Sequence, residues 1–148
     1  MIVTFFGHAQ FQGTQTHKQA LLSILEEQIG DAPCEMYLGG YGGFDRFAYE
    51  CCKEYQKKHK NVSLILVLAY LREKKQSAAE GYDRTLYPTI EDKPLRFAIS
   101  YRNRYMAEKA DLVIAFVQHN FGGAYQGCKH ARRKGKKVFN LASGEHAP

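Results

Sequence analysis

The chain has no tryptophan, and its acidic side chains are outnumbered, 15 against 21 basic ones, in 148 residues. No apolar run approaches the length of a membrane-spanning helix. The opening MIVTFFGH lacks the charged flank and small-residue cleavage site of a signal peptide, so a cytoplasmic protein without a membrane partner is expected. The 4 cysteines, Cys34, Cys51, Cys52 and Cys128, have neither metal-ligand spacing nor the pattern of a disulfide framework. Reduced packing thiols are expected, with no metal and no cofactor. Internal repeats of solenoid type are also missing.

What is present suits one compact domain over residues 1–148, because 45% of the residues are hydrophobic and the length supports a sizeable core. The formal net charge of +6 suits an acidic partner, either a phosphorylated small molecule or a nucleic acid. Much of that charge falls where helices should end. The runs Lys57-Lys58-His59-Lys60 and Arg132-Arg133-Lys134, with Lys136 and Lys137, are placed to complement helix dipoles while staying solvated.

The stretch Gly39 to Asp45, GGYGGFD, organises the rest. It follows the apolar run Met36-Tyr37-Leu38 and opens a segment in which Phe44, Phe47, Ala48, Cys51, Cys52 and Tyr55 recur at helical spacing. The spacing predicts a strand, a glycine turn and a helix. Glycines there permit positive φ and leave backbone N–H groups open at a helix start, where phosphate is a natural guest. Glycine turns also join strands to helices for packing alone, and for the motif in isolation both readings stand.

In chain order, Ile2 to Phe6 reads as a buried strand ending at Gly7-His8. Thr16 and Gln19 have capping-box spacing before a helix with Leu21, Leu22, Leu25 and Ile29 on one face, which Gly30 ends. Val62 to Leu68 is apolar almost throughout, as in a strand buried on both faces. Residues 69–94 read as a long functional loop or lid, with a helical turn near Gln76 to Gly81. A helix over about Ser100 to Ala110 precedes the strand Leu112 to Val117. A second glycine turn, Gly122-Gly123, opens a helix with Ala124, Cys128 and Ala131 on its apolar side, and Val138 to Leu141 is the last strand. The expected fold is therefore α/β: a Rossmann-like, doubly wound parallel sheet of about five strands, order 3-2-1-4-5, with helices on both faces. In that order the glycine-rich loops after strands one, two and four gather at one carboxyl edge, where such sheets bind ligands.

Three separated pieces, GGYGGFDRFAYE, RNRYMAEKAD and GGAYQGCKHA, resemble the SLOG superfamily, which joins the Smf/DprA proteins to the LOG phosphoribohydrolases. The opening FFGH and the order of motifs look closest to its small bacterial YpsA-like branch, DUF1273. The resemblance covers most of the chain outside 69–94 and implies a Rossmann-like domain that binds nucleotides or their derivatives. LOG enzymes carry an arginine before strand four and a glutamate in the glycine-turn motif after it. Arg102 matches the arginine, whereas the glutamate position holds Lys129. A lysine neither activates water as a carboxylate does nor steadies an oxocarbenium-like centre. Asp45, Glu50 and Asp83 are the candidate substitutes.

The expected ligand-binding set is Gly7, His8, Gly39, Gly40, Gly42, Gly43, Asp45, Arg102, Asn103, Gly122, Gly123 and Tyr125. Arg102 and Asn103 would grip phosphate. His8 stands either as a donor at the pocket mouth or as a cap on its loop. Asp45 either binds a ribose hydroxyl or caps its helix. Tyr41, Tyr82 and Tyr125 offer stacking faces, although most of the 10 tyrosines should be packing residues. The expected function is binding or sensing of a phosphorylated, nucleotide-derived small molecule by a homo-oligomer with no catalytic residue assigned. N-glycosidic hydrolysis of a nucleoside monophosphate and weak single-stranded nucleic acid binding are the alternatives.

Overall fold

The computed structural model describes residues 1–70, 79–90 and 92–143. Strands β1 (Ile2–Gly7), β2 (Cys34–Leu38), β3 (Val62–Val67), β4 (Arg84–Leu86), β5 (Leu112–Phe116) and β6 (Lys137–Asn140) form one parallel sheet in the order β4-β3-β2-β1-β5-β6. The expected order holds, with β5 and β6 as strands four and five. The correction is β4, a sixth strand inside what reads in sequence as a loop. Its residues RTL carry no apolar run, and it forms by pairing with β3, Ile65 opposite Arg84 and Val67 opposite Leu86. Asp83 sets that register: its carboxylate accepts from the Leu64 N–H at 2.7 Å and from Gln56 Nε2 at 2.9 Å. The helical turn expected near Gln76 to Gly81 lies outside the described residues over its first half, residues 76–78.

Helices α1 (Gln15–Gln28) and α2 (Gly43–Lys58) cover one face of the sheet, and α3 (Ala98–Lys109) and α4 (Gly123–Arg133) cover the other. The two-residue period of the strands divides their side chains between these layers. Val3, Phe5, Met36, Leu38, Leu64 and Ile114 meet Leu21, Leu25, Phe44, Ala48 and Cys52 on the first face. Phe6, Tyr37, Ile65, Val67, Val113 and Ala115 meet Met106, Ala107, Cys128 and Ala131 on the second. Full burial of each such large side chain contributes roughly 1.5–3 kcal/mol, so the two layers dominate the stability of the sheet.

Helix starts and ends follow local chemistry. The cap of α1 is Thr14, two residues earlier than the Thr16 spacing suggests. Thr14 Oγ1 accepts from the His17 N–H at 3.2 Å, and the Thr14 N–H donates to His17 Nδ1 at 3.2 Å. A histidine thus fills the role expected of Gln19. Lys57 and Lys58 lie in the last turn of α2, and Arg132 and Arg133 in that of α4, as the dipole argument requires. All four cysteines are buried free thiols, and burial pushes Cys34 and Cys51 up to about 12. No helix among the described residues is long and apolar enough to cross a membrane.

Candidate functional site

The carboxyl ends of β1 and β5 part at the point where the strand order reverses, and a cavity of about 430 Å³ opens there. Its lining includes Gly7, His8, Asp45, Arg102, Asn103, Gly122 and Gly123, seven of the residues expected from sequence. It also includes Tyr41, weighed in sequence only as a stacking face, and Ile99, His119 and Phe121, which sequence reading did not single out. Gly39, Gly40, Gly42, Gly43 and Tyr125 lie outside this lining. Among the described residues no group of three or more His, Cys, Asp or Glu side chains is placed to hold a metal ion.

The two glycine turns share one backbone and differ in what surrounds it. Gly42 caps α2 at φ 92°, ψ 177°, and Gly122 caps α4 at φ 92°, ψ 173°. At α2 the first amides are already occupied: the Gly43 N–H donates to the Ala9 carbonyl at 2.7 Å and the Phe44 N–H to the His8 carbonyl at 3.3 Å. A Cβ on Gly43 would lie 2.3 Å from the Phe11 carbonyl oxygen, and one on Gly42 would lie 2.8 Å from Ala9 Cα. This turn clamps the loop after β1 to the start of α2. At α4 nothing lies within 4 Å of a Cβ on Gly122. Among the described residues the Gly123 and Ala124 N–H groups have no hydrogen-bond partner. Those amides sit at the positive end of the α4 dipole and border the cavity.

Arg102 forms the floor. It is buried, and its Nη1 donates to the Gly39 carbonyl at 3.0 Å while Nη2 lies 3.4 Å from Asn103 Oδ1. Gly39 is a glycine because a Cβ would lie 3.0 Å from Arg102 Cζ and 3.2 Å from Asp45 Oδ2. Asp45 Oδ2 accepts from the Tyr41 N–H at 2.9 Å, a bond that holds the turn as a cap would. Burial raises the Asp45 carboxyl to about 6, against the opposing pull of the Tyr41 N–H and the Arg102 charge. Among the described residues Asp45 is the one carboxyl that lines this cavity, and it stands beside the Arg102 guanidinium. Glu50 lines a separate hollow with Tyr49 and Tyr82, and Asp83 is engaged at the start of β4.

The other rim is aromatic. His8 Nε2 accepts from the Gln118 N–H at 2.9 Å, which places the ring proton on Nδ1 and ties the loop after β1 to the loop after β5. Burial, and secondarily His119, hold its pKa below the ordinary value. His8 is therefore a loop tie that also faces the cavity. The His119 ring stands 4.7 Å from it and stacks on Phe121 at 5.0 Å and 13°. Phe121 and Tyr41 are 66% and 67% exposed, which leaves two large rings open beside polar donors. Tyr82 instead packs against Tyr49, with ring centroids 5.0 Å apart.

The chain is thus an α/β protein of the Rossmann-like class, with a doubly wound parallel sheet and a glycine-opened helix start at its switch point. No family model matches the sequence, and no curated protein is similar enough to match it. Solved structures share its fold, among them the following. DNA processing protein A (DprA) from Streptococcus pneumoniae superposes with a TM-score of 0.65 at 20% identity, over 93% of this chain and 49% of that one. DprA from Helicobacter pylori, in a structure concerned with its single-stranded DNA binding mode, gives 0.63 at 18% identity, over 95% and 64%. TM1055, a structural-genomics target, gives 0.59 at 13% identity, over 93% and 72%. The chain thus spans about half the length of the first protein and under two thirds of the second.

Proposed function

We propose that the cavity binds a phosphorylated, nucleotide-derived small molecule and that the chain is a SLOG-type domain of the YpsA-like branch. The observation that carries this reading is the open amino end of α4, whose free Gly123 and Ala124 amides border the same cavity as the buried Arg102 guanidinium. Phosphate suits both: the amides donate along the helix axis and the guanidinium adds positive charge beside them. The exposed Phe121 and Tyr41 rings suit the flat face of a base, and Asp45 suits a sugar hydroxyl. The test is a thermal-shift and calorimetric screen of mononucleotides, cyclic nucleotides and ADP-ribose-like compounds. At least one phosphorylated nucleoside should stabilise the protein, and its unphosphorylated parent should not. A folded protein that no such compound stabilises overturns the reading.

A second reading is single-stranded nucleic acid binding, favoured by the shared fold with two DprA proteins, one studied for that binding. Against it, the run Arg132 to Lys137 carries no aromatic residue, and base stacking supplies much of single-strand affinity. Weak, strongly salt-dependent binding is expected from that surface. The hydrolase alternative turns on Asp45, the one candidate carboxylate that lines the cavity. Lys129, at the LOG glutamate position, is exposed in a neighbouring groove.

A further inference from the structure

Behind the main cavity, on the outer face of the sheet's second layer, α3 and α4 part to leave a groove of about 400 Å³. Asn103 and Gly123 line both hollows, so the two adjoin at the amino end of α4. Arg104 borders the groove from α3, and Lys129, His130 and Arg133 border it from α4. None of the lining side chains is acidic. His130 Nε2 is engaged with Glu108 at 2.9 Å. Arg104, Lys129 and Arg133 form no ion pair with a carboxylate among the described residues.

This arrangement is not explained by helix capping. Arg133 lies in the last turn of α4, where a cation complements the dipole, but Lys129 sits a full turn earlier and Arg104 sits within α3. Lys129 and Arg133 are one helical turn apart on the same stripe, a like-charge spacing that repels. Arg104 adds a third positive charge across the gap. Such a set is unfavourable by itself and becomes favourable when an anion bridges it. The Asn103 amide stands at the junction: its Oδ1 accepts from Arg102 Nη2 at 3.4 Å, while its Nδ2, 3.5 Å from the Cβ position of Gly123, donates to no partner among the described residues.

We propose that this groove is a second phosphate subsite, so that the ligand carries two separated phosphate groups: one at the α4 amides and Arg102, the other among Arg104, Lys129 and Arg133. The proposal rests on the reading of the main cavity given above and narrows its ligand class to nucleotides with two phosphates, whether free bisphosphates or a short nucleic acid strand.

The test compares wild type with the Arg104→Gln/Lys129→Gln/Arg133→Gln variant, both ¹⁵N-labelled. The probes are inorganic phosphate, thymidine 5′-monophosphate, adenosine 3′,5′-bisphosphate and a 5′-phosphorylated dinucleotide. In wild type the two-phosphate probes should bind about tenfold more tightly than the monophosphate, the worth of one charge-assisted contact. They should shift the amides of Gln126 to His130 as well as those of Gly122 to Ala124. In the variant their advantage should disappear while monophosphate affinity stays unchanged. A gain shared by both two-phosphate probes assigns the subsite to free bisphosphates, and a gain confined to the dinucleotide assigns it to a strand. The proposal is overturned if the second phosphate adds no affinity or if its gain survives the triple change. It is equally overturned if phosphate shifts the Lys57 to Lys60 surface as strongly as the groove. If phosphate shifts the groove amides but nothing binds the main cavity, the groove stands as a separate anion site and the cavity reading falls. If phosphate shifts neither, both fall.

Discussion

Arg102 donates from Nη1 to the carbonyl oxygen of Gly39, 63 positions away in the chain, at 3.0 Å, and its guanidinium occupies the space where a side chain on Gly39 would be. The arginine is thus a structural strut between α3 and the loop after β2, and it also lines the cavity. Arg102→Ala should lower stability by about 1.5–3 kcal/mol, the range for a buried hydrogen bond from a charged group, and should weaken binding of the proposed nucleotide ligand by a similar amount. Urea unfolding and calorimetric titration measure the two losses separately. A variant that keeps full affinity would remove Arg102 from the site.

The two glycine turns give a paired prediction. Gly43→Ala drives a methyl to 2.3 Å from the Phe11 carbonyl oxygen and should destabilise by roughly 1–3 kcal/mol or more, as overpacking does. Gly123→Ala meets only Asn103 Nδ2, at 3.5 Å, an ordinary contact, and should leave the melting temperature nearly unchanged. Its methyl crowds the open amides, so ligand affinity should fall. Thermal melts with and without ligand distinguish the two behaviours.

The sheet order was readable because five strands announce themselves as apolar runs between helical patterns, and one-sided convergence of the loops follows from that order. β4 was not readable, since RTL has no pattern and its strand character comes from Ile65 to Val67 and the Asp83 carboxylate beside it. Within the site, Arg102 is pointed to by the resemblance to the SLOG superfamily and Gly122-Gly123 by its place as a glycine turn after an apolar strand. For GGYGG in isolation the sequence leaves a packing turn and a phosphate cradle both open, and the carbonyls of His8 and Ala9 occupy the amides that such a cradle needs. Nothing local to residues 39–45 encodes that long-range pairing. His119 and Phe121 were missed for a related reason: exposed aromatics in a turn carry no periodicity, and only the proximity of His8 gives them a role.

Asp45 gives a pH prediction. Its folded pKa, about 6, lies above the ordinary 3.8, so the folded state holds the proton more tightly than the unfolded chain. The stability contributed by the protonated form is complete below about pH 3.8 and is lost as pH rises through about 6. Asp45→Asn should therefore raise stability at pH 7.5, by at most about 3 kcal/mol, and by little at pH 4. The asparagine oxygen still accepts from the Tyr41 N–H. Chemical denaturation at both pH values checks the difference, and equal effects at the two would place the carboxyl in an ordinary environment.

His59 titrates in the same formal sense from a different cause. Its Nε2 meets Glu26 Oε1 and its Nδ1 meets Asp31 Oδ1, both at 2.7 Å, which only the doubly protonated ring satisfies. The Glu26 hydrogen bond, then that of Asp31, outweighs burial and raises its pKa above 6.5. Its contribution is complete below pH 6.5 and is lost as pH rises through the raised value. The stability gap between wild type and His59→Gln should therefore narrow on the alkaline side. An NMR titration of the ring should place its midpoint above that of His8.

The clamp between residues 8–11 and the start of α2 also bears on how chains of this kind can diverge. Gly42 and Gly43 are confined by Ala9 and Phe11, and Gly7 by Phe44, whose ring would lie 2.1 Å from a Cβ there. Drift at any of these positions demands a matching change at its neighbour. The turn at Gly122 is walled by nothing within 4 Å, and the Phe121 beside it is largely exposed. The space is therefore tight on one side of the cavity and open on the other, although Gly122, at φ 92°, still calls for glycine. Sequences descended from a common parent should preserve Gly7, Gly42, Gly43 and Gly122 while varying at the exposed His119 and Phe121.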